Sequence, residues 1–456
     1  MKRFSGILLT LSLSLFLVSG CVSQSEYNSH SDENNESIES IEKYQPLSPA
    51  SDNSDSSDSS DNADDNSSEQ SITSSDYSSN TQQTQLPPST ADNNDYSFSH
   101  IVASMGLGWN LGNQFEASIG GTPGETAWGN PPVTEKLIQL VKSQGFSTVR
   151  IPISYLNKIG AAPDYKIDEQ WLNRIQQVVD YVIANDMFAV INIHGDGYYT
   201  VDGGWLLCAE ENQSAITEKY ACVWRQIAER FKDYDERLVF ESMNEVFNNT
   251  YGAPPQNCYS NINAYNRIFT ETVRKTGGKN AERWLIIAGW NTDITYTADD
   301  YGFEVPEDNY CIAPGKRLMI SVHYYDPYNF TLDESPSTAT TQWGKSALYN
   351  FDSWGQEDYA DKQFAVLYER FVKNGYPVVV GEMGVSDKSH LDNEFNYFRQ
   401  YWYEYITAAC IKNGCVPVYW DNGRNGENGF ALFDRNSLNV TQPEIINAVM
   451  SVKDSG

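Results

Sequence analysis

Eight short apolar runs, rich in β-branched and aromatic residues, recur along the chain after residue 100 and constrain its fold more than any other feature. Amphipathic segments separate these runs, and the alternation is typical of βα units that build a parallel sheet. Eight such units predict a single (β/α)8 barrel of the α/β class. The predicted strands are residues 105–111, 148–153, 189–194, 238–244, 284–290, 318–324, 377–383 and 416–421.

Helical patterns occupy most of the intervals between these strands. The interval 291–314 shows little helical pattern and is the weakest of the predicted crossovers. A doubly wound open sheet is therefore the alternative fold. The predicted helices are residues 135–144, 169–185, 215–232, 262–276, 359–374, 393–412 and 442–452.

The first 21 residues have the organisation of an export signal. Lys2 and Arg3 precede an apolar run over residues 7–18, which is too short to span a bilayer. Small residues and Cys21 follow, and they resemble a bacterial lipobox in which the cysteine is lipidated. An ordinary signal peptide is the alternative. The sequence thus predicts an extracellular bacterial protein held at the cell surface by lipid at Cys21, with no other membrane contact.

Residues 22–100 consist mainly of Ser, Asp, Asn, Glu and Gln, with few apolar side chains. Such a segment cannot offset its ordering entropy by burial, so we expect a disordered linker. It carries 16 acidic residues and one lysine, which account for half of the formal net charge of −30. Residues 101–456 remain as one folded domain, which we expect to be monomeric. Its moderately acidic composition disfavours nucleic acid as a partner, because phosphate binding needs clustered Lys and Arg.

Six cysteines lie in the predicted domain. An even number in an exported chain permits disulfides, although the sequence does not fix the pairing. Cys208 with Cys222 and Cys410 with Cys415 are the pairs that would close short loops; Cys258 and Cys311 are the others. No CxxC or HxxxH spacing occurs, so we expect no metal site, and no other cofactor is indicated.

Polar residues lie at the C-terminal ends of the predicted strands, which converge on one pocket in a barrel. The residues are Arg150 at the end of strand two, His194 at the end of strand three, Asn244 and Glu245 at the end of strand four, His323 and Tyr325 at the end of strand six, Glu382 at the end of strand seven and Trp420 at the end of strand eight. The two glutamates matter most, because a carboxylate is costly to bury at the end of an apolar strand. Two carboxyls about 5–5.5 Å apart suit a retaining glycosidase, whereas a wider spacing suits an inverting one.

The ordered set of motifs at these strand ends resembles glycoside hydrolase family 5, and especially its endoglucanase-like members. The resemblance covers about residues 101–452 and is specific as a set, although each motif alone is weak. The motifs are Gly-Trp-Asn-Leu-Gly-Asn at 108–113, Thr-Ala-Trp-Gly-Asn-Pro at 126–131, Val-Arg-Ile-Pro at 149–152, Asn-Ile-His at 192–194, Met-Asn-Glu at 243–245, His-Tyr-Tyr-Asp-Pro at 323–327, Gly-Glu-Met-Gly at 381–384 and Tyr-Trp-Asp-Asn-Gly at 419–423.

The resemblance implies roles for these residues. Glu245 would be the general acid/base and Glu382 the nucleophile. Arg150 and Tyr325 would hold the nucleophile, and Asn244 would bind the sugar 2-hydroxyl. His194 and His323 would orient the sugar and the carboxylates, and Trp420 would stack on the sugar face. Further candidate substrate contacts are Asn110 in the first motif and the aromatic residues Trp128, Trp205 and Trp290 in predicted loop ends.

The substrate that this resemblance implies is a β-linked plant polysaccharide. We expect an endo-acting β-1,4-glucanase, with xyloglucan, lichenan and mannan as open alternatives, because one scaffold serves all of them. Many relatives carry a second histidine after strand three, where this chain has Gly195, and this departure leaves the subfamily open. A non-catalytic polysaccharide-binding protein that uses the same aromatic residues is the alternative from another class.

Replacing Cys21 with alanine tests the predicted anchor. We expect the variant to leave the membrane fraction for the soluble fraction, because no lipidated cysteine remains, with unchanged activity per molecule. Fractionation of cells followed by immunoblotting measures the distribution. Unchanged membrane association in the variant would reject the lipid anchor.

Overall fold

The structure is a computed structural model that describes residues 93–452. The predicted signal at residues 1–21 and most of the predicted linker lie outside the described residues. No helix within residues 93–452 combines the length and the apolar character needed to cross a membrane.

A closed barrel of eight parallel strands forms the centre of the domain, which confirms the predicted fold. Each strand pairs with its neighbours in sequence, and β1 closes the barrel by pairing with both β2 and β8, with Trp109 opposite Val149 and Tyr419. The strands are β1 Gly108–Asn110, β2 Thr148–Ile151, β3 Phe188–Ile191, β4 Leu238–Glu241, β5 Leu285–Ala288, β6 Leu318–Tyr324, β7 Val378–Met383 and β8 Cys415–Tyr419. Two short hairpins lie outside the barrel, Ser118–Ile119 with Thr122–Pro123 and Phe433–Asp434 with Asn439–Val440.

Helices follow the strands at the positions that the amphipathic patterns predict. The interval after β5 contains only the five-residue α6, in line with the weak pattern of residues 291–314. Several helices have a side-chain cap at their N-terminus. At the start of α2, for example, the Thr134 hydroxyl accepts a hydrogen bond from the Leu137 N–H. The helices are α1 Asn93–Met105, α2 Glu135–Ser143, α3 Glu169–Ala184, α4 Gln213–Phe231, α5 Gln256–Lys275, α6 Ile294–Ala298, α7 Tyr328–Thr331, α8 Glu357–Arg370, α9 Phe395–Lys412 and α10 Pro443–Ser451.

Helix α1 was not predicted, and it crosses the expected linker boundary at residue 100. Its last turn buries Ile101 and Met105 in an apolar cluster with inward-facing strand residues such as Val190 and Val239. The Met105 carbonyl also accepts a 2.6 Å hydrogen bond from Thr148 in β2. Residues 101–105 therefore belong to a helix that packs onto the strands of the barrel, and the first strand begins at Gly108 rather than at Met105.

Side chains in the strands alternate between the barrel interior and the helix layer, as the two-residue period requires. In β2, Val149 and Ile151 pack outward in the core between strands and helices, so Arg150 between them points into the barrel. In β4, Val239 lies in the interior apolar cluster and Phe240 lies in the outer core. The barrel interior therefore contains two layers of side chains, an apolar layer below and a polar layer above.

The pairing of β6 with β7 shifts in register near the C-terminal ends of the two strands. Val322 pairs with Val380, but His323 pairs with Glu382, so Gly381 is an extra residue in β7. A bulge of this kind re-aims the side chains that follow it. A Cβ on Gly381 would lie 3.2 Å from His323 Nε2 and 3.3 Å from Ser321 Oγ, so the close approach of the three residues favours glycine there. The bulge explains how Glu382 faces the pocket after the outward-packed Val380.

The six domain cysteines are free thiols in the structure. Neither of the two short-loop pairs forms a disulfide. The Cys208 thiol instead makes a hydrogen bond with Cys258 in the first turn of α5.

Replacing Met105 with alanine tests the packing of α1 on the barrel. We expect the free energy of unfolding to fall by about 2–4 kcal/mol, because the variant removes a fully buried side chain from a closed apolar cluster. Ala103 in the same helix is exposed, and Ala103→Ser as the control should change stability by no more than about 0.5 kcal/mol. Chemical denaturation measures both variants, and equal effects would show that α1 does not pack as described.

Candidate active site

Arg150 is the centre of the polar layer in the barrel. Its guanidinium is fully buried and donates hydrogen bonds from all three nitrogens. Nε donates to Glu241 at 2.8 Å, Nη1 to Glu382 at 2.9 Å, and Nη2 to Asn244 at 2.7 Å. Nη1 also donates to Asn110 Oδ1 at 3.0 Å. One buried cation thus fixes side chains at the ends of three other strands, β1, β4 and β7.

Glu241 is a buried carboxylate that the sequence analysis did not single out. Besides Arg150, it accepts hydrogen bonds from Asn192 at 2.9 Å and from Ser321 at 2.7 Å. It lies at the end of the apolar strand β4, where a carboxylate is as costly to bury as at Glu245 and Glu382. Its partners explain how the carboxylate is accommodated, and its position below Arg150 makes it a support for the site.

Glu245 and Glu382 face one pocket on either side of His323. His323 Nδ1 lies 2.7 Å from Glu245 Oε1 and 3.7 Å from Glu382 Oε2. Ligating atoms of the three side chains all lie within 4.8 Å of one another. The two carboxyls, 137 positions apart in sequence, are therefore close enough to act on one anomeric carbon, with the narrow spacing of a retaining pair.

Each glutamate has its own set of hydrogen-bond donors. Glu382 accepts from Arg150 and, at 3.0 Å, from the Tyr325 hydroxyl. Glu245 accepts a 2.6 Å hydrogen bond from the Tyr198 hydroxyl, which itself accepts from Asn244 Nδ2 at 2.8 Å. The contact from Tyr325 is the one that the resemblance implies. Tyr198 was only one of several loop aromatics in the sequence, and no sequence signal set it apart.

The protonation states of the two glutamates are linked because they share one buried pocket. Burial raises the pKa of Glu382, although the positive charges of His323 and Arg150 act against it. Burial also opposes ionisation of Glu245, but the hydrogen bond and charge of His323, the hydrogen bond from Tyr198 and the charge of Arg150 together outweigh it and lower the pKa of Glu245. This order is the reverse of the one that an acid and a nucleophile need. His323 contributes to this order because its ring lies nearer to Glu245 than to Glu382.

His194 and Trp420 are two buried aromatic rings that pack against each other. Their rings stack at a centroid distance of 6.4 Å with an interplanar angle of 13°. Burial and the charge of Arg150 hold the pKa of His194 well below its usual range, so the ring is neutral. Trp420 also packs with Leu332 and Phe430. The structure thus brings the predicted His194 and Trp420 together.

Three of the predicted substrate contacts, Asn110, Trp290 and Trp205, have other surroundings. Asn110 is fully buried and donates to the Gly381 and Tyr419 carbonyls while it holds Arg150, so it supports the site from below. Trp290 is buried in the core against Phe247 and Tyr259, which corrects its assignment to substrate binding.

Trp205 and Trp128 differ in their exposure. Trp205 is half-buried; its Nε1 donates to Asp196 at 2.6 Å, and Lys219 covers its ring at 4.3 Å, so it anchors its loop rather than presenting a free face. Trp128 is 43% exposed and donates to the Ser118 carbonyl, so its ring remains available to a ligand.

Gly195 stands where many relatives carry a second histidine, and its surroundings explain the glycine. A Cβ there would lie 2.6 Å from Ser154 Oγ, a distance that side chains do not tolerate. The Gly195 N–H donates to the same oxygen at 2.9 Å. The close contact with Ser154 therefore excludes a histidine unless the loop moves.

Among the described residues, one group of side chains has a composition and spacing that could hold a metal ion, namely Glu245, His323 and Glu382. Each already pairs with another side chain of the site, as described above. The expectation that no metal or other cofactor takes part stays a prediction.

The family model for cellulases, glycosyl hydrolase family 5, matches residues 112–426, which span the barrel from the end of β1 past β8. The chain belongs to this family. The family 5 domain is 52% identical over 368 residues to Endoglucanase A of Paenibacillus barcinonensis, an alignment that covers 79% of this chain and 92% of that relative.

Solved structures of family 5 proteins superpose well on this one. A family 5 xyloglucanase from Paenibacillus pabuli in complex with ligand has a TM-score of 0.76 and 54% identity, and the match covers 77% of this chain and 99% of the other. A family 5 lichenase from Caldicellulosiruptor sp. F32 has a TM-score of 0.69 and 33% identity, with 81% and 96% coverage.

Replacing Arg150 with methionine tests the charge network of this family 5 site. The variant leaves Glu241 and Glu382 buried without their cation, so we expect a loss of about 3–5 kcal/mol in unfolding free energy at pH 8. The pKa of Glu382 is already raised in the fold and should rise further without Arg150. A carboxyl whose pKa is higher in the folded than in the unfolded protein lowers the free energy of unfolding at pH values above its unfolded pKa. It has no effect once the folded and the unfolded states are both protonated, so the loss should be smaller at pH 5.

The control for this measurement is Arg230→Met, which removes an ion pair with the exposed Glu169 at the surface. That variant should lose less than about 1 kcal/mol at either pH. Urea denaturation at the two pH values measures both proteins. A loss in Arg150→Met that does not depend on pH would contradict the described network.

Proposed function

We propose that this family 5 protein is an endo-acting, retaining glycosidase that hydrolyses β-1,4-glucan. The observation that carries the proposal is the pair Glu245 and Glu382, whose carboxyls meet in one buried pocket at the C-terminal end of the barrel. Two carboxyls at this spacing can act as nucleophile and acid on opposite sides of one glycosidic bond. The 52% identity to an endoglucanase supports the same activity.

In the first step, Glu382 attacks the anomeric carbon and forms a glycosyl ester, while Glu245 gives its proton to the departing oxygen. Arg150 and Tyr325 hold Glu382 in place and stabilise its ionised form through two hydrogen bonds. His323 Nδ1 lies 2.7 Å from Glu245 Oε1 and orients this carboxyl toward the bond. Because two like charges in one pocket disfavour each other, a proton on Glu245 favours the ionised form of Glu382, and this is the protonation state that reacts.

In the second step, Glu245 acts as a base. It removes a proton from water, whose oxygen attacks the anomeric carbon and releases Glu382 from the ester. The hydrogen bond from Tyr198 fixes the orientation of the Glu245 carboxylate for both steps. Because the carbon is inverted twice, the product keeps the configuration of the substrate.

Asn244, His194 and Trp420 are placed to bind the sugar that becomes attached to Glu382. Arg150 donates a hydrogen bond to Asn244 Oδ1, so the amide nitrogen of Asn244 points to the other side, where it donates to the Tyr198 hydroxyl in the pocket. A hydrogen bond from this amide to the sugar 2-hydroxyl would strengthen in the transition state. The stacked pair of His194 and Trp420 offers an apolar face to the ring.

Xyloglucan is the second candidate substrate. A xyloglucanase from P. pabuli is 54% identical to this chain, which is about the identity of the endoglucanase relative. Lichenan has weaker support, from a lichenase at 33% identity. Measurement of initial rates on purified β-1,4-glucan, xyloglucan, lichenan and mannan, with sizing of the products, decides between them.

We further propose that the protein is exported and anchored by lipid at Cys21, with residues 22–92 joining the anchor to the domain. The support is the sequence of the first 21 residues, with its basic start, apolar run and cysteine. Such an arrangement would hold a monomeric domain at the cell surface, where an insoluble or large polysaccharide is accessible.

Glu245→Gln and Glu382→Gln test the two roles separately. We expect each variant to lose several orders of magnitude in turnover on polysaccharide while its fold and melting temperature stay close to wild type. On an aryl glycoside with a good leaving group, Glu245→Gln should still release one equivalent of phenol in a burst, because this first step needs little acid. Glu382→Gln should show no burst.

Release of reducing ends from carboxymethylcellulose and stopped-flow detection of the phenol measure these two effects. Glu282→Gln, at an exposed position, is the matched control and should remain fully active. Near-normal turnover in either site variant, or a wild-type protein that binds carboxymethylcellulose without cutting it, would reject the proposed function.

A further inference from the structure

Cys208 and Cys258 lie side by side, although 50 positions separate them in the sequence. The Cys208 thiol makes a hydrogen bond with the Cys258 thiol, and both side chains are buried in the core between strands and helices. A metal site does not account for the pair, because the one group of side chains within residues 93–452 that could hold an ion is in the active site. The proposed reaction uses neither thiol.

The backbone at Cys208 is held in place next to helix α5 by contacts of its own. Cys208 lies in the loop between β3 and α4, and Cys258 lies in the first turn of α5. Asn261, in the next turn of α5, donates from its side-chain amide to the Cys208 carbonyl at 2.9 Å. The Gln213 amide, at the start of α4, donates to the same carbonyl at 3.4 Å. The two thiols therefore face each other from backbone positions that do not depend on the contact between the sulfurs.

We propose that Cys208 and Cys258 form a disulfide in the exported protein. A disulfide requires side chains that point at each other and sulfur atoms about 2.0 Å apart, and two thiols in hydrogen-bond contact already have the required direction. Each thiol loses a proton and an electron. The two electrons reduce an external disulfide to two thiols, so one S–S bond forms as another breaks.

The oxidant and the pairing rest on different grounds. An oxidising compartment outside the cell contains disulfides that can accept the two electrons, so the oxidant depends on the proposed export. The pairing depends only on the contact between the two thiols. A test with a supplied oxidant therefore examines the pairing by itself.

The thiols of Cys222 and Cys415, which the two short-loop pairs would use, contact other groups. Cys222 Sγ lies 3.9 Å from the Pro163 carbonyl oxygen and accepts a hydrogen bond from Arg225 at 3.5 Å. Cys415 Sγ lies 3.7 Å from the Asn413 carbonyl oxygen. The structure thus favours a pairing that the spacing of the cysteines in the sequence did not indicate.

Burial determines when the disulfide can form. It raises the pKa of both thiols, and the neighbouring Cys258 raises the pKa of Cys208 further. The thiolate is the species that exchanges with a disulfide, so both thiols react slowly in the folded domain. We therefore expect the bond to form while the chain folds. Once formed, it is shielded from reductants in solution.

The disulfide would join the two loops that carry a hydrogen bond to the proposed acid. Tyr198 lies ten positions before Cys208, and Glu245 lies 13 positions before Cys258. The 2.6 Å hydrogen bond from Tyr198 to Glu245 connects these loops at the active site. The covalent bond would connect the same loops where they lead into α4 and α5. It would therefore limit how far Tyr198 and Glu245 separate on heating.

Peptide mapping tests the pairing on the full chain, with Cys21 replaced by alanine so that this residue does not compete. The reduced, denatured chain is refolded in a mixture of oxidised and reduced glutathione, free thiols are alkylated, and the unreduced digest is analysed by mass spectrometry. We expect a crosslinked peptide pair that joins Cys208 to Cys258 in most molecules. A map without this crosslink, whether every thiol is alkylated or another pair is joined, would overturn the proposal.

The melting temperature gives a second measurement on the same chain. The crosslink restricts the unfolded chain, so the oxidised protein should melt about 5 °C above the reduced protein. Cys258→Ser should remove this difference, and the matched control Cys222→Ser should keep it. No difference in the parent chain, or an undiminished one in Cys258→Ser, would contradict the disulfide. Neither measurement uses a polysaccharide or a membrane, so failure here leaves the proposed hydrolase function and lipid anchor standing.

Discussion

The burial of a single arginine determines how the functional end of this barrel is arranged. Arg150 lies in the barrel interior with no access to water, and a buried cation is tolerated only when carboxylates and hydrogen bonds compensate it. Glu241 and Glu382 provide the charge, and Asn110 and Asn244 provide the remaining acceptors. Asn110 belongs to β1, Glu241 and Asn244 to the end of β4, and Glu382 to β7. The electrostatic requirement of one residue in β2 therefore fixes the relative positions of four segments of the chain.

The layered barrel interior makes this arrangement possible. Below the arginine, apolar residues such as Val190, Val239 and Val379 fill the barrel and pack with Met105 of α1. Above the arginine, the strand ends carry the polar side chains of the pocket. The bulge at Gly381 adds one residue to β7, and Glu382 faces the pocket for that reason. The placement of Glu382 thus depends on a backbone irregularity at Gly381, which lies in close contact with His323 and Ser321.

Much of the fold and part of the site follow from local sequence patterns. The eight strands and seven of the helices lie close to their predicted positions, because the periodicity of apolar residues reports which faces of each element are buried. Glu245, Glu382, Tyr325 and His323 were predicted to lie together because polar groups at the strand ends of a barrel converge, and the structure brings them together. The same logic did not reach Tyr198, since a tyrosine in a polar loop has no periodic neighbours, and it misassigned Trp290, whose burial depends on Phe247 and Tyr259 from other segments.

The sequence by itself determined the order of the elements, the closed barrel and the presence of two glutamates at strand ends, since each of these is encoded among residues near one another in the chain. Only the tertiary structure decided that the two carboxyls meet around His323, that Glu241 supports Arg150 from below, and that the Cys208 thiol lies against Cys258. The physical reason is that these features are distances between residues tens to hundreds of positions apart. Such distances are set by barrel closure, strand register and side-chain packing, and no local pattern in the sequence records them.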